Sequence, residues 1–290
     1  MDINNLKAFI EVADKRSFSR SAETLHLTQP AVSKRIAALE TELSARLFDR
    51  VGRSVHLTEA GKVLLPSARQ ISAELDRIED VICNMGKGVS GKLSIGTSSY
   101  IGVHRLPTIL KNFRSAYPDV VIDIHFGDST TAMQSVEDGL FEIGLCAMHS
   151  TAESHLKESE IWNDDLVIVV SRDHPLTEEQ QPDIELLMKC PAVLPSLPSA
   201  TRKTIDSALS TLNTKAAVSM EAHDLETVKT MASIGLGWAC IPKVMVDDSL
   251  TILQIPGFNI KRRISLIRHH DRTLSRAAEA FIEALPNNGV

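Results

Sequence analysis

Seven apolar residues recur as Leu64, Ala68, Ile71, Leu75, Ile78, Ile82 and Met85, at spacings of 4, 3, 4, 3, 4 and 3. That rhythm holds one narrow stripe on one side of a helix. It argues for a helix paired with another helix rather than one lying on a core. Thr58 is placed to cap it, and Pro66, inside it, should kink it near its start. The run ends in "NMGKGVSGK", where Gly86, Gly88 and Gly91 form a hinge. So long a helix divides the chain into a head at 1–58, a linker and dimerisation helix at 59–90 and a body at 91–290. A length of 290 residues suits such a multidomain arrangement.

The head reads as short helices. In residues 3–13, Leu6, Phe9, Ile10 and Ala13 share a face. Ser19 can cap a second helix carrying Ala22 and Leu25, and His26–Leu27 makes a tight link to a third. In "TQPAVSKRIAALE" (28–40), Thr28 can cap and Pro30 fits the first turn. Val32, Ile36, Leu39 and Leu43 share its inner face, which leaves Ser33, Lys34 and Arg35 outside. Two short helices and a brief turn, the second with a polar outer face, describe a helix-turn-helix. In "LFDRVGRSVHLTEAG" (47–61), Val51 and Val55 flank a turn at Gly52–Arg53–Ser54. Two brief strands there would form a wing carrying Arg50 and Arg53, a residue type that narrow minor grooves attract.

The charge is segregated. The chain carries −6, yet eight bases and four acids between residues 15 and 53 give that stretch +4, which leaves −10 elsewhere. A basic head on an acidic body fits a nucleic-acid reader with a second function; a solvated charged surface is the plainer alternative. Cys83, Cys146, Cys190 and Cys240 form no Cys-x-x-Cys pair and read as buried reduced thiols. The adjacent His269 and His270 point to opposite faces of a strand, which argues against a metal site. "MDINNLKAFIEVADKRSF" holds no basic region followed by an apolar run, and no stretch approaches the roughly 20 apolar residues of a membrane helix. A cytoplasmic protein is expected.

From Lys92 onward strands alternate with helices. "KLSIGT", "VVIDIHF", "EIGLCAM", "LVIVVS", "PAVLP", "WACIP" and "ISLIRH" read as strands. "HRLPTILKNFRSAY", "TAMQSVEDG", "TRKTIDSALSTL", "DLETVKTMASIG" and "SRAAEAFIEAL" read as helices. This is an α/β domain with a largely parallel sheet. There is chain enough for two lobes, lobe I at about 91–163 and 265–290 and lobe II at about 164–264.

The head resembles the LysR-type transcriptional regulators. The spacing of "SF", "A..L", "TQPAVS", "I..LE", "LF.R" and "LT.AG" carries that likeness, and "GKLSIGTSSY" and "GLGWACIP" extend it loosely through the body. Ser21 stands where the family usually has Ala, and Ser44 where it usually has Gly at a helix end. A Ser in a left-handed conformation costs of order 1 kcal/mol. The resemblance implies an all-α winged helix-turn-helix head and a two-lobed, periplasmic-binding-protein-like effector domain. It also implies a dimer of dimers on promoter DNA, with RNA polymerase a candidate further partner.

In such a protein Gln29 and Ser33 are the candidate base readers, since Gln can pair bidentately with adenine. Pro30 is small enough for a thymine methyl, and Lys34 and Arg35 suit phosphates. The effector would sit where strands meet helix N-termini. Ser98, Ser99 and Tyr100 lie at one junction, Ser129 and Thr130 at a second, Ser196 and Thr201 at a third and His223 at a fourth. Hydroxyls and free N–H groups there suit a small anion, and the resemblance implies that the junctions converge on one cleft. Each could equally do no more than cap its helix. No cofactor and no metal are expected. The competing class is an enzyme, but no Gly-x-Ser-x-Gly elbow, phosphate loop or His-Glu-x-x-His occurs. A solute-binding protein would need an export signal and no basic head.

Overall fold

The computed structural model describes residues 2–51, 54–83, 88–150, 155–179 and 182–286. Side chains at 50, 51, 54, 76, 77 and 79–83 fall outside that description. Two compact units emerge, one on Met1–Gly86 and one on Lys87–Glu137 with Phe141–Val290.

The first unit runs α1 (Ile3–Lys15), α2 (Phe18–Thr24), α3 (Gln29–Leu43), β1 (Phe48–Val51), β2 (Ser54–Leu57) and α4 (Glu59–Cys83). Leu6, Phe9, Val12, Val32, Ile36 and Leu39 are buried in one core. Val12 was not anticipated, and Leu43, in the last turn of α3, is 39% exposed. The ring of Phe48 packs on Phe9 and Phe18 at 5.3 and 5.9 Å, which fixes the wing to the helices. Ser17, not Ser19, caps α2, accepting from the Arg20 N–H at 3.3 Å. Ser21 is fully buried, its hydroxyl 2.7 Å from the Ser17 carbonyl and 3.0 Å from that of Glu11. A serine is therefore satisfied at a position an alanine would fill.

Strands β1 and β2 pair antiparallel, with Val51 opposite Ser54, so Ser54 is strand and not turn. Glu40 braces the wing, its Oε1 accepting from the Leu47 N–H at 2.7 Å. Thr58 caps α4, accepting from the Gly61 N–H at 3.1 Å. A Cβ on Gly61 would lie 2.3 Å from the Leu47 carbonyl oxygen, which is why only glycine fits where α4 crosses the wing. Along α4, Ala68 is buried in the head core and Leu64 packs against it. Ile71 and Ile78 are 40% and 41% exposed, so the heptad stripe leaves the core beyond the third turn. Arg53, Gly52, Met85 and Gly86 lie outside the described residues, as does the side chain of Arg50 on β1.

Ser44 ends α3 at φ 51°, ψ 32°. Glycine adopts that conformation without the Cβ penalty. Ser44→Gly should therefore stabilise the head by about 0.5–1 kcal/mol, read as a higher melting midpoint by far-UV circular dichroism.

The second unit continues with β3 (Gly91–Thr97), α5 (Ser99–His104), α6 (Pro107–Ala116), β4 (Val120–Phe126), α7 (Ser129–Glu137), β5 (Ile143–Met148) and β6 (Leu156–Ser171). Next come α8 (Ile184–Met188), β7 (Pro191–Pro195), α9 (Ala200–Thr211), β8 (Ala217–Ala222), α10 (Leu225–Ser233), β9 (Ala239–Pro242), β10 (Leu250–Leu253), β11 (Ile260–His269) and α11 (Arg276–Ala284). The main sheet is mixed, with order β10-β6-β11-β5-β3-β4 and β9 also on β6; β7 and β8 form a small sheet. Parallel pairing holds for β3–β4, β3–β5 and β7–β8, and β6 and β11 are antiparallel to their neighbours. The expected largely parallel sheet is thus corrected by these two long strands. β11 pairs along its whole length with Leu156–Leu166 of β6, with a register shift at Ile264/Ser265. One half of the unit hangs on β11–β5–β3–β4, the other on β6–β9 and β6–β10. In "GLGW" a Cβ on Gly237 would lie 2.4 Å from the Pro191 carbonyl oxygen, and Trp238 is fully buried. The motif thus serves packing between β7 and β9.

Candidate functional sites

Helix α3 presents two faces. Val32 and Ile36 hold it to the core, with Gln29, Pro30 and Lys34 exposed and Ser33 and Arg35 half-buried. Thr28 accepts from the Ala31 N–H at 3.4 Å, which starts the helix at Gln29. Gln29 and Pro30 therefore sit in its first turn, with Ser33 and Lys34 one turn on. These side chains form no hydrogen bond within the protein among the described residues, so their donors and acceptors stay open to a ligand.

In the second unit a cavity of about 530 Å³ lies between the two halves. That volume is in the range of small-molecule sites. All eight candidate residues line it: Ser98, Ser99, Tyr100, Ser129, Thr130, Ser196, Thr201 and His223. They are not equivalent. Ser98 caps α5, accepting from the Ile101 N–H at 3.4 Å. The Ser129 hydroxyl accepts from the Ala147 N–H at 3.1 Å and ties α7 to β5. Thr201 accepts from Arg262, and Tyr100 donates to Asp164. Ser99, Thr130, Ser196 and His223 carry side chains with no protein partner among the described residues. Helices α7 and α10 are capped by Asp128 and Asp224, each accepting from an N–H at 2.8 Å. Those carboxylates already occupy two of the anticipated anion positions.

Beneath the cavity lies a polar cluster that the sequence reading did not single out. Asp164 on β6 and Arg262 on β11 are opposite each other in the strand register. Their side chains are 1% and 2% exposed and pair at 2.7 Å. Tyr100 Oη donates to Asp164 at 2.8 Å, Arg105 pairs with the same carboxylate, and Arg262 Nη1 donates to Thr201 at 2.9 Å. The Arg262 guanidinium also lies 4.4 Å over the Tyr100 ring. Burial pushes the Asp164 carboxyl up, but Arg262, Tyr100 and Arg105 together hold it below its ordinary value. Burial and the neighbouring Asp164 push the Tyr100 hydroxyl up to about 12. The cluster therefore joins α5, both long strands and α9. Further contacts between the halves are His104 Nε2 to Glu226 at 2.7 Å and His149 Nδ1 to Thr204 at 3.3 Å.

Burial pushes the Cys146 and Cys240 thiols up to about 12, so they stay protonated and poorly nucleophilic at neutral pH. Among the described residues no group of His, Cys, Asp and Glu could hold a metal ion, and no helix is long and apolar enough to cross a membrane.

Residues 3–62 match the family model for the bacterial regulatory helix-turn-helix protein, lysR family. Residues 86–289 match the LysR substrate binding domain. The chain belongs to the LysR family of transcriptional regulators. This LysR regulator is 32% identical over 295 residues to the probable RuBisCO transcriptional regulator of Trichormus variabilis, spanning 98% of this chain and 87% of that one. It is 26% identical over 288 residues to the transcriptional activator CmpR of Synechocystis sp., spanning 98% and 94%. Its fold is similar to that of full-length CbnR complexed with target DNA, with TM-score 0.73, 20% identity and 98% and 99% coverage. The relatives are transcriptional regulators rather than enzymes. The LysR regulator thus joins a DNA-binding head to an effector-binding body.

Proposed function

We propose that the outer face of α3 reads promoter DNA and that a small anionic effector in the body cavity modulates DNA binding or promoter activation. Gln29, Ser33 and Pro30 contact base edges, Lys34 and Arg35 contact phosphates, and Arg50 and Arg53 of the wing reach the minor groove. The effector is contacted by Ser98, Ser99, Tyr100, Ser129, Thr130, Ser196, Thr201 and His223. The observation that carries this reading is the convergence of all eight on one cavity. The exposed Ile71 and Ile78 support pairing of α4 with a second copy, giving a homodimer, and two such dimers make up a homotetramer. The protein works in the cytoplasm, without a cofactor, and RNA polymerase is its further partner.

A thermal-shift screen of metabolites against the full chain tests the cavity. A compound that raises the melting temperature of the wild type should lose most of that shift in the Ser99→Ala/Thr130→Val double variant. Neither side chain has a protein partner among the described residues, so the fold does not lean on them. An undiminished shift would place the effector elsewhere.

A further inference from the structure

Two histidines bridge the halves of the body, each through a different pair of elements. His104 stands one turn beyond Tyr100 on α5, and its Nε2–H donates to Glu226, in the first turn of α10, at 2.7 Å. His149 follows β5, and its Nδ1 lies 3.3 Å from the Thr204 hydroxyl on α9. That hydroxyl already donates to the Ala200 carbonyl at 2.9 Å, so towards His149 it accepts, and Nδ1 carries the hydrogen. In both bridges the histidine belongs to one half and the acceptor to the other. Each bridge lies a few residues from the cavity lining, near Tyr100 and Leu225 in the first case and near Ala147 and Thr201 in the second.

The two acceptors make the same demand. A neutral imidazole has one N–H, on either nitrogen, whereas the protonated ring has both. Protonation therefore guarantees the donor at His104 Nε2 and at His149 Nδ1. It also turns His104–Glu226 into an ion pair, with side chains 19% and 45% exposed. The other ionisable groups near His104 are already engaged. Its ring lies 5.2 Å from that of Tyr100, which donates to Asp164, and Asp164 also takes Arg262 and the adjacent Arg105. On the α10 side Asp224 caps the helix and Lys229 pairs with Asp247. Against His149, Asp128 caps α7, Arg202 pairs with Asp206 on α9, and Arg263 of β11 pairs with Glu158; Lys203 of α9 is exposed.

We infer that closure of the two halves over the cavity is proton-linked, with His104 and His149 as its latches. Protonation tightens both bridges, and loss of the protons lets the halves part. Histidine is the side chain that changes charge between pH 5 and 8, so the device answers to pH near neutrality. The closed form binds more protons, so it gains as pH falls and loses as pH rises. The latches act with the cavity empty. A ligand that selects the closed form is held more tightly at the lower pH, a consequence that rests on the cavity being the effector site.

Hydrogen exchange of the full chain, read by mass spectrometry at pH 6 and pH 8 without ligand, tests the assignment once times are scaled for the intrinsic pH dependence of exchange. Backbone amides of α5 and α10 should be about threefold less protected at pH 8, while β5, buried within one half, stays unchanged. His104→Gln keeps a donor for Glu226 without a titrating charge. Glu226→Gln, at the more exposed partner, removes the charge from the other side. Each should flatten the difference at α5 and α10, and His149→Gln should flatten it at the start of α9. Equal protection of the wild type at both pH values would overturn the assignment, as would a difference that survives in both His104→Gln and Glu226→Gln. A loss at pH 8 that extends to β5 would mean general destabilisation rather than opening, and would overturn it too. None of these outcomes touches the effector reading, which the metabolite screen decides at a single pH.

Discussion

Asp164→Asn should destabilise the body by about 3–5 kcal/mol, the usual cost of removing one partner from a buried ion pair. The carboxylate is 1% exposed and serves Arg262, Arg105 and Tyr100 together. Without it, the Arg262 charge stays buried and unpaired. Both tryptophans of the chain, Trp162 and Trp238, lie in the body, so intrinsic fluorescence in a urea titration reads that unit separately from the head. The pH dependence follows from the sign of the shift. The Asp164 carboxyl is held below its ordinary value in the folded state. Its contribution is therefore complete above about pH 4, the unfolded value, and is lost as pH falls through the lower folded value. Wild-type stability should drop in that acid window, and the Asn variant should lose less there. A variant within 1 kcal/mol of wild type on fluorescence unfolding would mean that the cluster is not a structural joint.

Lys34→Ala and Arg35→Ala should each weaken binding to every DNA sequence and lower the salt slope by about one unit. Lys34 is exposed and Arg35 half-buried on the outer side of α3, and neither pairs with a carboxylate among the described residues. A phosphate contact releases counterions regardless of base, so cognate and scrambled duplexes should lose affinity alike. Fluorescence anisotropy across a salt series measures this. An unchanged slope in both variants would remove these residues from the DNA face.

The head was the most legible part of the sequence, because a helix-turn-helix is short and its inner face repeats locally. Val32, Ile36 and Leu39 are buried as their spacing requires, though Leu43 at the end of that face is not, and the left-handed Ser44 is where the family resemblance implied a helix end. The sequence offers Ser19 as the cap of α2, but Ser17, an equally good acceptor two residues earlier, takes that place. In the body, single helices were readable, but long-range pairing was not. β6 spans Leu156–Ser171, and only its apolar second half stood out as "LVIVVS". Its first half is mostly polar, with unbroken polar runs at Lys157–Glu160 and Asn163–Asp165, and takes its order from pairing with β11. Strands β8 and β10 passed unseen for the same reason, their apolar content being short and interrupted.

The candidate cavity was legible through its strand-to-helix junctions, whose small polar residues mark the ends of strands. The Asp164–Arg262 pair was not, since a charged residue in a strand reads as solvent-facing. A signal did exist. Arg262 is two residues from Ile260 and Ile264, and Asp164 two from Trp162 and Leu166, so both share the parity of buried neighbours. A charge at a core-facing parity in each of two strands is the pattern that would have found them.

If the outer face of α3 reads base sequence, Gln29→Ala should show it. Anisotropy should be measured on the DNA upstream of the chain's own gene and on a scrambled duplex of the same composition. The variant should lose about 1–3 kcal/mol on the first and little on the second, so that the ratio of affinities falls about tenfold or more. Equal losses on both duplexes, or no preference in the wild type, would contradict the claim.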